Sequence, residues 1–576
     1  MAASATASTG APSGSATEVL AQNSEIHDDQ TDYVLESAAV IPIVLSGNSI
    51  SAGAAGVSVV GTRATITSAG TYGISGSLED GQIIVDTADG ETVRLVLNGV
   101  DIRSSTSAPI YVRNAEKAII ILADDTENHL ADGESYVFEA ADDDEPNAAL
   151  FSKSDLTIFG NGSLSVDANY NDGVASKDGL IIAGGTITVQ SVDDGIRGKD
   201  YLVIQDGNIV INAKSDGLKS DNAEDPTKGY ISIEKGVFNI SSGGDAIDVE
   251  TDVIIADGEF TLSSGGGSSN YFGADTSAKG IKGTVSVNID GGAFHIDSAD
   301  DGLHSNGSLT IDGGTFHIAS GDDAMHADAT LTINGGEIRI RESFEGLESA
   351  VITINAGNLH IVSSDDGINV VSGVDGSGMA QRAGAGGGPG RGQGSFTYSG
   401  DYYLYIHGGY IAIEAAGDGI DVNGAIEMTD GIVIINGPTQ QMNGALDYDG
   451  GFKITGGFLV AVGSAGMGQA PDESSSQYSM LVNLNSTVRA RTLVHIQDSA
   501  GNDVLTFAPS KQYQSIALSS PQLAKGATYS LYLGGNSTGT ANDGLYQGGN
   551  YTPGTEYASF TISGMVTRLG SSRSRF

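Results

Sequence analysis

The chain has 576 residues, 83 of them glycine, no cysteine, and a formal net charge of −45 from 72 acidic against 27 basic side chains. That charge excludes nucleic acid and anionic membrane surfaces as partners, because both would be repelled. The absence of cysteine excludes disulfides and thiolate metal sites, and the sequence contains no apolar run of about 18 residues that could span a bilayer as a helix.

In chain order, residues 1–30 are rich in Ala, Ser, Thr and Gly and lack a basic start followed by an apolar core. They do not read as a signal peptide and are expected to form a disordered tether. Residues 31–170 carry short strands such as Ala64–Thr67, Val93–Leu97 and Ile119–Leu122, expected to begin or cap a repetitive region. Residues 171–470 repeat one pattern, in which a small residue comes directly after an acidic corner at Gly173, Gly195, Gly217, Ala246, Gly280, Gly302, Ala324, Gly346, Gly367, Gly419 and Ala445. Five of the steps are 22 residues and one is 21, a period that marks a solenoid.

Each repeat holds three short alternating stretches; in one copy they are Leu303–Ser305, Leu309–Ile311 and Phe316–Ile318. Alternation turns Leu309 and Ile311 inward and Thr310 to the outer face. Turns fall at Asn306-Gly307, Gly313-Gly314 and Asp322-Asp323. The expected fold is all-β: a right-handed parallel β-helix with three strands per coil. A Gly-rich loop at 372–399 interrupts it, a C-terminal β cap covers 478–566, and 567–576 form a tail.

Much of the acid gathers at one corner of successive repeats: Asp172, Asp193, Asp194, Asp216, Asp245, Asp300, Asp301, Asp322, Asp323, Glu345, Asp365, Asp366, Asp418 and Asp447, with Asp248 and Asp421 just beyond. Coils stack about 4.8 Å apart, so these carboxylates repel unless protonated or bridged by cations. Aspartate before glycine is also a common turn residue, and a single one needs no metal. Several repeats supply two acids where a turn needs one, and clustered oxygens suit a hard cation, calcium. Lys177, Arg197, Lys199, Lys219, Lys279 and Lys282 stand beside the corners, as solvated ion-pair partners or as a Brønsted base next to calcium. His295, His317, Arg339 and His360 form a polar stripe on the third stretch, and Tyr402, Tyr403, Tyr405 and Tyr410 are the densest aromatic group.

Several segments carry a resemblance to a known family. They are ITSAGTYGISGSLEDGQIIV (66–85), LVLNGVDI (95–102), PNAALFSKSDLTIFGNGSLSV (146–166), DDGIRGKD (193–200) and TFAPSKQYQSIALSSP (506–521). The chain resembles bacterial secreted, calcium-binding, polysaccharide-binding β-helix proteins with a pectate-lyase-like fold. The resemblance implies calcium at the acidic corners, an extracellular or cell-surface location, and binding of polygalacturonate-like acidic polymers or cellulose. The expected role is binding rather than catalysis. One alternative is a calcium-dependent β-elimination of polyuronides, with Lys219 or Arg197 of depressed pKa as the base. The other is a calcium-dependent matrix protein or filament built from homo-oligomers.

Overall fold

The computed structural model describes residues 16–34, 40–53, 56–138, 140, 143–270, 276–371 and 401–570. The protein is all-β, with most strands in a large, mostly parallel sheet, and it divides into two compact units, Met1–Ser305 and Asn306–Phe576.

In the first unit the repeat folds as three parallel ladders, each strand pairing with the third strand after it. The first ladder lies just past the acidic corners and runs through Ile110–Asn114, Ala148–Ser152, Asp172–Ser176, Ile196–Gly198, Leu218–Ser220, Ile247–Val249, Ile281–Gly283 and Leu303–Ser305. The second runs from Lys117–Leu122 to Ser286–Ile289, and the third from Glu127–Asp132 to Ala293–Ser298. Alternation decides what each ladder buries. In the third, Phe238, Phe260 and Phe294 point inward and stack with centroids 4.6 Å apart and planes within 3° of parallel, which matches the interstrand spacing.

The expected tether is corrected from Ala16 onward. Ala16–Leu20 forms a short helix whose Ala16 and Val19 pack on Ile181, Tyr201, Val203, Tyr230 and Ile254, the outward side chains of the second ladder. Its continuation is pinned by polar contacts: the His27 N–H donates to the Tyr201 hydroxyl at 3.0 Å, and Lys117 Nζ reaches Asp32 at 2.5 Å. Those outward positions are apolar or aromatic, so covering them removes hydrophobic surface from water.

The second unit repeats the three ladders. Leu347, Ile368, Ile420 and Leu446 stack as one interior column, in register with Met325. The polar stripe is in register too, with His317 beside Arg339 and Arg339 beside His360. Leu309 and Ile311 are fully buried, as their alternation requires. Thr310 is a correction: it is 6% exposed, so the outer face is covered there and does not offer the free surface expected of it. The last coil strand, Phe458–Gly463, pairs antiparallel with Tyr513–Ser519, which also pairs with Ser479–Val488. Beyond it lies a six-stranded antiparallel sheet built around Val494–Asp498 and Thr528–Ser537. The β region extends past 566, because Val566–Leu569 pairs parallel with Ser479–Val482, so 567–569 are strand and not tail. The Gly-rich loop at 372–399 lies outside the described residues.

Leu309→Ala should cost roughly 2–5 kcal/mol, as for other buried Leu truncations. Arg339→Ala, on the exposed outer stripe of the same unit, should move stability by no more than about 0.5 kcal/mol. Thermal and urea unfolding of the two variants check this; equal losses would contradict the observed register.

Candidate metal centre

The acidic corner is built by one hydrogen bond repeated from coil to coil. Asp172 Oδ1 accepts from the Asp194 N–H at 3.3 Å, Asp194 Oδ1 from Asp216 at 3.1 Å, and Asp216 Oδ1 from Asp245 at 2.8 Å. Asp245 Oδ1 accepts from Lys279 at 2.6 Å. The second unit repeats the device: Asp323 Oδ1 accepts from Glu345, Asp366 Oδ1 from Asp418 and Asp418 Oδ1 from Gly444. The small residue next to the corner is dictated by the stacking. A Cβ at Gly195 would lie 2.5 Å from the Gly217 carbonyl oxygen of the next coil. One carboxylate oxygen therefore does turn work across coils, and the second oxygen is left to meet a cation.

In the first unit the protein supplies that cation itself. Lys219 Nζ lies 2.5 Å from Asp216 Oδ2, 3.3 Å from Asp194 Oδ2 and 3.6 Å from Asp248 Oδ2. Lys282 Nζ bridges Asp248 Oδ1 at 2.8 Å and Asp245 Oδ2 at 3.6 Å. Lys279 Nζ meets Asp301 at 2.6 Å and Asp300 at 3.1 Å, and His304 Nδ1 lies 2.9 Å from Asp301. Arg197 takes Asp221 with two nitrogens, while its Nη1 is 3.7 Å from Asp172 Oδ2. Asp172 Oδ2 is buried without a hydrogen-bond partner, and Asp172, Asp193 and Asp194 offer oxygens within 4.8 Å of one another. Burial, then the neighbouring Asp194 charge, pushes the Asp172 carboxyl up to about 8 although Arg197 opposes this.

These contacts count against Lys219 as a base. Burial alone would lower its pKa, but Asp194, Asp216 and Asp248 outweigh that and hold it above the ordinary lysine value. Arg197 is likewise raised, with Asp221 and Asp172 overcoming burial. Both side chains are held protonated, the opposite of what proton abstraction needs.

In the second unit the corner is arranged differently. Asp323 Oδ2 lies 3.2 Å from His326 Nδ1, whose Nε2 faces Asp328 at 3.1 Å, and Glu348 joins Asp323 and His326 within 4.8 Å. Asp322 is buried beside them, its carbonyl oxygen accepting from Phe344. Further along, Asp366, Asp418 and Asp421 bring oxygens within 4.8 Å of one another. Among the described residues no lysine or arginine pairs with Asp366 or Asp421. Burial, then Asp365, Asp418 and Asp421, pushes Asp366 up to about 8; burial, then Asp418, Asp447 and Asp449, pushes Asp421 up to about 7. Asp365 is also raised by burial. Gly417 leaves room here, since a Cβ would fall 2.2 Å from Asp365 Oδ1 and 2.3 Å from Asp366 Oδ1. An all-oxygen set in which neither Asp366 nor Asp421 pairs with a lysine or arginine among the described residues fits a hard divalent cation; the lysine-filled corners of the first unit do not.

Against known proteins, residues 60–324 match the family model described as carbohydrate-binding domain-containing protein. A carbohydrate-binding domain-containing protein of Acetivibrio thermocellus is 47% identical over 136 residues, 24% of this chain. The chain spans about half of that relative's length, 48%. A solved structure of a polysaccharide lyase-like protein from C. thermocellum is 36% identical and covers 47% of this chain and 96% of its own, with a TM-score of 0.38. Among the described residues no helix is long and apolar enough to cross a membrane.

The raised carboxyls fix a pH dependence. An unfolded aspartate titrates near 3.8, so between that pH and about 8 the folded state keeps protons on Asp366 that the unfolded chain has released. Their stabilising effect is present at low pH and lost as pH rises through the folded values. In chelator, the unfolding temperature should fall from pH 5 to pH 8, and Asp366→Asn should fall less steeply. Parallel curves for the two proteins would contradict the assignment.

Proposed function

We propose that this protein is an extracellular, calcium-dependent polysaccharide-binding protein whose coils wind as a right-handed parallel β-helix. The observation that carries the binding class is the match of residues 60–324 to a carbohydrate-binding family. The winding is supported by the pairing of each strand with the third one after it, and right-handed crossovers are the rule for parallel strands. Calcium is supported by the cluster of Asp366, Asp418 and Asp421, with Asp365 beside it, where burial and like charge leave the Asp366 and Asp421 carboxylates to be neutralised from outside. Asp172, Asp193 and Asp194 also bring oxygens together, but Arg197 and Lys219 already reach Asp172 and Asp194, so calcium is not assigned there. A bound calcium would supply charge compensation and open coordination positions for sugar oxygens or a uronate carboxylate. The aspartates hold it, and the corner hydrogen bonds keep them from turning away.

The polymer class comes from the same electrostatics. A protein of net charge −45 gains an acidic polymer as ligand only where cations intervene, so polygalacturonate-like chains are favoured in calcium. A lyase role is disfavoured by the protonated state of Lys219 and Arg197.

Millimolar calcium should raise the unfolding temperature; a ligand at a hundred times its Kd adds about 2.7 kcal/mol. Polygalacturonate should bind in calcium, weaken in chelator, and yield no unsaturated product absorbing in the ultraviolet. No calcium shift together with unchanged polymer binding in chelator would refute the metal; product that disappears in Lys219→Ala would refute the binding role.

A further inference from the structure

We infer that a row of cations on the first unit, Arg113, Lys153, Lys177 and Lys199, is a docking track for a polysaccharide bearing a carboxylate on successive sugars. The inference rests on the polysaccharide-binding reading and assigns it a second surface, separate from the corner aspartates.

The four residues occupy one position on four consecutive coils. Lys153 N–H donates to the Val112 carbonyl at 2.9 Å, Lys177 to Ser152 at 2.9 Å and Lys199 to Ser176 at 3.0 Å, so each side chain stands one coil above the last. At about 4.8 Å per coil the row is about 14 Å long. In a chain with 27 basic residues against 72 acidic ones, such a run of like charge is unfavourable by itself and needs an anion along it. On the next coil the row ends, where Asp221 is taken by Arg197.

The structure also shows what the row holds. Glu145 places one carboxylate oxygen 2.7 Å from Lys153 and the other 2.7 Å from Lys177, so a single carboxylate is clamped by two lysines a coil apart. Burial would raise the Glu145 carboxyl, but the two lysines hold it below the usual glutamate value. Glu145 is a stand-in, from the protein's own chain, for the group the track recognises. Lys153 and Lys177 keep 39% and 37% of their side chains exposed, and Lys199 is half-buried. Beside the row lies a cleft of about 320 Å³ whose lining mixes Arg63, Arg113 and Lys153 with Asp143, Asp144 and Glu145, and includes the Tyr111 ring. The Arg113 guanidinium lies 5.4 Å from the Tyr111 ring centre and 3.7 Å from Asp86. A pyranose chain fits this arrangement: its carboxylates meet the lysines while its ring faces lie toward the cleft wall.

The test measures polygalacturonate binding by titration calorimetry at fixed calcium, on wild type, on the triple variant Lys153→Gln, Lys177→Gln, Lys199→Gln, and on Glu145→Gln. The triple variant should lose at least about tenfold in affinity, the scale of three exposed charge contacts, and most of its salt dependence. Glu145→Gln should bind more tightly than wild type, because it releases two lysines. Unchanged affinity in both variants, with wild type binding normally, overturns the track and leaves the polysaccharide-binding reading standing. Wild type that binds no polysaccharide overturns both. Polyglutamate binding as tightly as polygalacturonate overturns the sugar assignment.

Discussion

The constraint on which this structure depends is that carboxylates one coil apart must be compensated. Stacking coils at the interstrand distance is what buries the leucine, isoleucine and phenylalanine columns, and it fixes the distance between corner aspartates at the same time. The chain answers in two ways. One carboxylate oxygen accepts the backbone N–H of the next coil, which fixes the corner's geometry in both units. The other oxygen meets a cation, and there the units differ.

In the first unit the cations are side chains, Lys219, Lys282, Lys279 and Arg197, each reaching at least two carboxylates. Such a corner is electrostatically closed, and an ammonium nitrogen already occupies the place a metal would take. In the second unit, Asp366 and Asp421 have no such partner among the described residues, and their raised carboxyls record the cost of that arrangement. A site that is expensive in the absence of a ligand is one whose ligand stabilises the fold. The first unit uses its remaining cations on another face, where Glu145 shows the lysine row clamping a carboxylate.

Much of the fold was legible because a solenoid writes its geometry as a period. The copies of 21 and 22 residues fixed the strand positions, and alternation fixed which side chains are inward, as at Leu309 and Ile311. The covering segment was not legible. Residues 16–30 belong to the expected tether, yet their contacts with Tyr201, Tyr230 and Asp252 reach 174 or more positions along the chain. The corner acids were found by spacing, but spacing does not tell a lysine-filled corner from an open one. That difference lies in whether a neighbouring outward position holds Lys219 and Lys282 or Asn369 and Asp421. The lysine row left a signal in the sequence, the recurrence of lysine after a small residue in FSK, ASK and RGK at nearly one coil's spacing. Reading each lysine against its nearest aspartate hid it.

The central claim is that calcium compensates the second unit's open corner and not the first unit's filled one. Calorimetric titration of calcium into wild type, Asp366→Asn and Asp194→Asn tests it most directly. The account predicts that Asp366→Asn removes a binding event and that Asp194→Asn leaves it in place. An identical isotherm for wild type and Asp366→Asn, or loss of that event in Asp194→Asn alone, would contradict it.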